Sequence, residues 1–265
     1  MSRGYVLRVS YDGTSFHGWQ RQDGQRTVED VLGAAVRELD PSVGHLRGTS
    51  RTDAGVHARA QHVALDCERD IPAKGWVLGT NQHLPAEISV RAARRVPVGF
   101  TPRFATRGKR YEYTVSCDHV RDPFCDAWQW RVVAKLDVDC MNRAAAALVG
   151  THDFAAYRTA RDERENTTRT VAMCEVKETR SASGARVLVF AVEGSGFMHN
   201  MVRIIVGSLV DVGRGALAET ALAEALVHGD RTKLGMTAPA LGLVLARVDF
   251  DWPALGEGEA EEAWP

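Results

Sequence analysis

The chain has 265 residues, 45% of them apolar and 25% charged, with a formal net charge of −1. That is an ordinary balance for a globular protein of one large or two smaller domains, and no run of residues is long and apolar enough for a spanning helix. The five cysteines are scattered without a C-x-x-C pair and the nine histidines lack H-E-x-x-H spacing, so the pattern offers neither a disulfide framework nor a metal site.

In chain order, Met1–Gly4 leads directly into an alternating strand at Tyr5–Tyr11. No signal peptide precedes it, and a cytoplasmic location is expected. Tyr11 to Gln20 holds Gly13, Gly18, Phe16 and Trp19, the composition of a shaped loop. Val28–Leu39 has helical apolar spacing, with Thr27 as N-cap and Asp30 as a capping-box acid. Strands are predicted near Gly44–Ser50 and Ala60–Asp66, a helix at Ala73–His83 and a strand at Ile88–Val96. The order β-α-β-β-α-β is the ferredoxin-like unit.

The second half repeats it. A strand is predicted at Lys109–Ser116, an Ala-rich helix at Asp137–Val149, and a hairpin at Val171–Thr179 and Arg186–Glu193 around Ser181–Gly184. An apolar helix at Met198–Val212 and an amphipathic one at Leu217–Val227 precede a last strand at Leu243–Phe250. Val120–Trp130 and Thr151–Thr168 fit neither repeat; the second reads as a long polar loop around Arg158, Arg161 and Arg164, with Arg169 just beyond it. The predicted architecture is α+β: two ferredoxin-like or RRM-like halves, 1–103 and 104–252, with mixed, mainly antiparallel sheets flanking a central basic cleft. An acidic tail, 253–265, is expected to be disordered. An open sheet face is a platform for RNA.

The charge is unevenly spread. After Arg247 come six acids and no base, and without them the net charge would be about +5. Between Ile88 and Tyr111 stand Arg91, Arg94, Arg95, Arg103, Arg107, Lys109 and Arg110 with no acid, a stretch suited either to phosphates or to a solvated strand face.

Arg51-Thr52-Asp53-Ala54-Gly55-Val56-His57 sets a carboxylate between a guanidinium and a glycine turn. Two residues apart in extended backbone, Arg51 and Asp53 share a face. A neighbouring cation favours the ionised acid, and an ionised, partly desolvated carboxylate is a candidate nucleophile. Arg203 stands inside the apolar run Met201–Val210 and needs water or an acid; Asp53, Asp211 and Glu193 are candidate partners. Tyr111 and Tyr113 alternate with Arg110 and Glu112, fitting either base stacking or core packing. Gly194-Ser195-Gly196 is an incomplete dinucleotide fingerprint, because His199 occupies the third glycine position. It is read instead as a tight turn into a helix N-terminus.

Five blocks together resemble the tRNA pseudouridine synthase A family: Tyr11–Thr14 through Gly18–Gln20, Arg51–Ala58, Lys109–Tyr113, Gly196–Arg203, and Thr237–Pro239 leading to Gly242-Leu243. The resemblance runs from about Tyr5 to Phe250. It implies the pseudouridine synthase fold and a cofactor-free isomerase, converting uridine to pseudouridine at positions 38, 39 and 40 of the tRNA anticodon arm, as a homodimer. It implies Asp53 as the catalytic acid and Tyr111 against the target base. Arg203 would pair with the catalytic acid, Arg51 would help extrude the nucleotide, and Leu243 would be an apolar wall of the uracil pocket. A non-catalytic RNA-binding protein would need the bases and Tyr111 but not Asp53. A phosphate-binding oxidoreductase would rest on Gly194–Gly196 alone.

Overall fold

A computed structural model describes residues 1–159 and 165–254 and the backbone of Ala263–Trp264. The elements run β1 (Arg3–Tyr11), α1 (Val28–Leu39), β2 (Arg47–Gly48), β3 (His57–Cys67), α2 (Ala73–Gln82), β4 (Ile88–Val96) and β5 (Thr106–Ser116). They continue with β6 (Trp130–Arg131), α3 (Val138–Ala146), β7 (Gly150–Asp153), β8 (Thr168–Arg180), β9 (Arg186–Gly194), α4 (Met201–Gly213), α5 (Ala221–His228), β10 (Leu243–Phe250) and β11 (Ala263–Trp264). The chain forms two compact units, Met1–Arg107 with Leu245–Pro265, and Gly108–Val244. The chain returns to the first unit at its end. There the Asp251 N–H donates to the Ala105 carbonyl at 2.9 Å.

In the first unit β1 is central, antiparallel to β3 on one side and β4 on the other. β2 pairs antiparallel with β3, and β10 also lies along β3. The order β4-β1-β3-β2 is that of the predicted ferredoxin-like unit. Alternation along β1 decides the two faces. Tyr5, Leu7 and Val9 are buried, and Tyr5 meets Trp76 of α2 with ring centroids 5.8 Å apart. The intervening Val6 joins Ala64 and Val96 beneath Phe100 on the opposite face. Thr27 caps α1, accepting from the Asp30 N–H at 3.3 Å. The Asp30 carboxylate accepts from the Thr27 hydroxyl at 2.7 Å, so the acid answers the cap's side chain.

In the second unit β9 lies antiparallel between β5 and β8, and β7 extends the sheet beyond β8. Every residue of α4 except Arg203 is buried, as an all-round apolar helix requires. The start of the region 151–168, residues 151–159, is structured despite its polarity. It opens with β7 and a 3-10 turn at Ala155–Tyr157, anchored by buried Phe154 and by the Tyr157 hydroxyl, which donates to the Leu222 carbonyl at 2.6 Å. Arg161 and Arg164 lie outside the described residues. In the tail, the backbone of β11 pairs antiparallel with β4, Ala263 opposite Arg94 and Trp264 opposite Ala93. The rest of the expected disorder, 255–262 and 265, falls outside the described residues.

Candidate active site

Each unit holds part of the predicted set: Arg51 and Asp53 in the first, Tyr111, Arg203 and Leu243 in the second. Asp53 sits in the irregular stretch between β2 and β3, just before a turn at Ala54-Gly55. Such a stretch has no ladder of its own to fix it, and the structure fixes it from three sides. Upstream, the Thr49 N–H donates to the His62 carbonyl at 2.9 Å, while the Gln61 side chain accepts from the Ser50 N–H at 3.2 Å and donates to the Ser50 carbonyl at 2.6 Å.

At the centre, buried Thr52 bonds the Tyr11 hydroxyl at 2.7 Å, and its carbonyl accepts from the Trp19 N–H at 3.0 Å. Downstream, the Gly55 N–H donates to the Phe16 carbonyl at 3.3 Å, and His57 Nδ1 accepts from the Gly13 N–H at 3.0 Å. A Cβ on Gly13 would overlap the Val56 carbonyl oxygen, so the loop and the turn approach as closely as only glycine allows. Along this stretch Arg51 is exposed, Thr52 buried and Asp53 half-buried. The candidate nucleophile thus stands on a backbone segment held by hydrogen bonds on both sides.

The second unit gathers its residues around Tyr113. That ring is fully buried and its hydroxyl donates to the Pro239 carbonyl at 2.8 Å. Burial pushes its pKa upward, and the Arg203 charge close by opposes this. Arg203 Nε donates to the Ala238 carbonyl at 2.7 Å and Nη1 to Asn200 Oδ1 at 2.6 Å. Asn200 is the left-handed N-cap of α4, with φ 60°. The Ala238 N–H returns a bond to the Arg203 carbonyl at 3.0 Å. A Cβ on Gly207 would overlap the Met236 carbonyl, so the 236–239 segment lies directly along α4. Tyr111, two residues from Tyr113 on the same strand face, packs edge-on against Phe197 at 5.4 Å. Leu243 is buried at the start of β10.

One sequence expectation is corrected. Gly194–Gly196 does not open a helix: Gly194 ends β9, and α4 begins only at Met201 behind Asn200. Of the other acids considered for Arg203, Asp211 pairs with Arg214 at 2.7 Å and Glu193 lies 4.0 Å from Arg110. The basic stretch is partly committed: Arg107 pairs with Asp251, Arg110 with Glu112 at 3.2 Å, and Arg95 reaches Asp70 at 4.0 Å. Arg91 and Arg103 remain exposed. No local sequence signal marks Gln61, Thr52 or Tyr113 as organisers of the site. Only the glycine and aromatic content of 11–20 hinted at the loop that holds Asp53.

Comparison with known proteins gives a family model described as tRNA pseudouridine synthase, matching residues 8–105 and 144–251. A Geobacter (strain M21) protein named tRNA pseudouridine synthase A is 40% identical over 249 residues, covering 94% of this chain and 99% of that one. The Myxococcus xanthus protein of that name is 39% identical over 261 residues, 97% of each chain.

Proposed function

The chain belongs to the tRNA pseudouridine synthase family, and from that premise we propose that it isomerises uridine to pseudouridine at positions 38, 39 and 40 of the tRNA anticodon arm, with Asp53 as the nucleophile. The observation that carries this reading is the clamped turn. Asp53 is half-buried, and the chain on both sides of it is held: Thr52 by the Tyr11 hydroxyl, Ser50 by Gln61 of β3, and the Thr52 carbonyl and Gly55 N–H by the 11–20 loop. Pre-organisation of this kind is what a nucleophile at a crowded sugar–base junction needs.

The reaction balances without a co-reactant. The N1–C1′ bond breaks, a C5–C1′ bond forms, the proton on C5 is lost and one is gained at N1. Asp53 serves by attack at C1′ or at C6, or by assisting formation of a glycal. A base must then remove the C5 proton. Tyr111, Arg51, Arg203 and Leu243 take the substrate-binding roles that the family resemblance gives them. Tyr111 is suited to contact the base, since its ring is fixed edge-on by Phe197. The target uridine must leave its stack, at a cost of a few kcal/mol, which phosphate contacts from exposed bases such as Arg91 and Arg103 would offset. We further propose a homodimer acting in the cytoplasm.

The test is tritium release from tRNA carrying 5-tritiated uridine, with wild type and Asp53→Asn in parallel. Wild type should release it, and the variant should bind tRNA yet lose turnover by roughly 10⁴-fold or more. Equal release by both removes Asp53 from the chemistry. Binding without release by either leaves an RNA-binding protein.

A further inference from the structure

The face of the first unit's sheet that carries Val6 holds a pocket that the proposed chemistry does not use. Its floor is Val6, Ala92 and Ala93, and its polar lining is Arg8, His62 and Arg94, closed by Trp252. Its origin is local. Arg8 pairs with Ala92 and Val9 with Val90, so the register skips Arg91, and such a bulge re-aims the side chains beside it. Alanine then stands beside Arg8, where a larger residue would fill the space.

Trp252 follows β10 and reaches over the sheet. Arg94 lies 4.8 Å from its ring centroid, and its ring is 6.1 Å from that of His62. The family model ends at 251, one residue short of Trp252.

The polar groups are of three kinds. Arg8 is an exposed cation directly across the ladder from His62. Arg94 forms a cation–aromatic wall with Trp252. His62 Nδ1 is 2.9 Å from the Ala60 carbonyl; a carbonyl only accepts, so Nδ1 carries the proton and Nε2 is left as an acceptor. Burial, with the Arg8 charge, lowers the His62 pKa to about 4, so the ring remains a neutral acceptor at physiological pH. A flat apolar floor, an aromatic wall, an acceptor and cations fit a planar ring that carries an N–H donor and an attached anion.

We propose that this pocket binds a nucleoside monophosphate unit, its base along the Trp252–Arg94 wall and donating to His62, and its phosphate on Arg8. That unit is either a residue of the RNA strand, in which case the inference rests on the RNA-modifying reading above, or a free nucleotide.

Two arms distinguish the sources. Filter binding measures the Kd of full-length protein for a tRNA transcript, and equilibrium dialysis measures binding of UMP and AMP. Wild type, Arg8→Ala, Trp252→Ala and Trp252→Phe are compared in both. Loss of the stacking wall should weaken binding in at least one arm by roughly 5- to 100-fold, while Trp252→Phe retains most of it. Arg8→Ala should weaken the same arm and, for tRNA, lower the salt slope by about one. A change in the tRNA arm assigns the site to the strand, and a change in the dialysis arm alone assigns it to a free nucleotide. Unchanged affinity in both arms for Arg8→Ala, an exposed side chain whose removal leaves the core intact, overturns the proposal even if Trp252→Ala fails to fold. Dialysis needs no turnover: a chain that binds UMP here but releases no tritium sinks the synthase reading and leaves the pocket standing.

Discussion

The two units present their candidate site residues in opposite ways. The first puts Asp53 on irregular backbone and immobilises it from outside, through Gly13, Thr52, Gln61 and the 11–20 loop. The second puts Tyr111 and Arg203 on a strand and a helix whose own ladders fix the backbone, and needs only side-chain contacts to aim them. An exposed turn gains its rigidity from neighbours that must come very close, so small residues become indispensable there. A buried helix gains it from packing.

The sharpest way to break this contrast is a pair of glycine substitutions. In Gly13→Ala the new methyl meets the Val56 backbone, which cannot yield without moving the Asp53 turn. Turnover should fall by roughly 100-fold, as for a misplacement of about 1 Å, together with about 1–3 kcal/mol of stability. Gly207→Ala forces α4 from the Met236 carbonyl and should chiefly lower stability. Steady-state rates and thermal melts on both proteins decide it. A Gly13→Ala protein with normal turnover would mean that the turn is not held as argued.

Acid should separate the units next. His62, buried in the first unit, has its pKa lowered to about 4 from 6.5. The unfolded chain therefore binds this proton at higher pH than the folded one. Stability is at its plateau above about 6.5, falls as pH drops towards 4, and levels off below. The shift corresponds to about 3 kcal/mol. In the second unit, burial instead raises Tyr113, Tyr157 and Cys174, the last to about 12, and these stay neutral throughout that range. Hydrogen exchange at pH 7 and pH 5 should show protection lost first in β1 and β3. His62→Phe should abolish this part of the pH dependence.

A smaller effect is expected at Arg203. Arg203→Lys keeps the charge but loses the planar fork that spans Ala238 and Asn200. Turnover should fall by about tenfold, the equivalent of one charge-assisted hydrogen bond, with a melting temperature close to wild type. A loss of melting temperature as large as that of Gly207→Ala would make Arg203 a structural residue.

The same contrast explains what the sequence disclosed. α1, β4 and β10 were legible to the residue because apolar periodicity and a capping threonine are local signals. The segment around β2 was legible only roughly: a strand expected over Gly44–Ser50 is two residues long, because side-chain and backbone bonds from Gln61 and His62 replace the ladder there. α4 was placed with its apolar run but starts three residues late, since Asn200 takes a left-handed turn that periodicity cannot reveal. Asp53 and Arg203 stood out as charges in unusual company. Gln61 and Tyr113 did not, because their importance comes from partners outside their own strands: Gln61 holds the Ser50 backbone, and the Pro239 carbonyl that Tyr113 holds is 126 residues away.

Tyr113 therefore gives the mildest and most specific prediction. Tyr113→Phe keeps the buried ring, its edge-on contact with Trp130 at 6.4 Å and its place under Gly242, and removes only the hydroxyl donated to Pro239. The net loss of one such bond is about 1 kcal/mol, or a fall of about 2–4 °C in melting temperature for a protein of this size. The 236–239 segment would still be tied to α4 through Ala238 and Arg203. Turnover should consequently drop less than in Arg203→Lys. If Tyr113→Phe instead removes most of the activity while the melt is unchanged, the hydroxyl acts in the chemistry, and the second unit supplies a proton-carrying group as well as a frame.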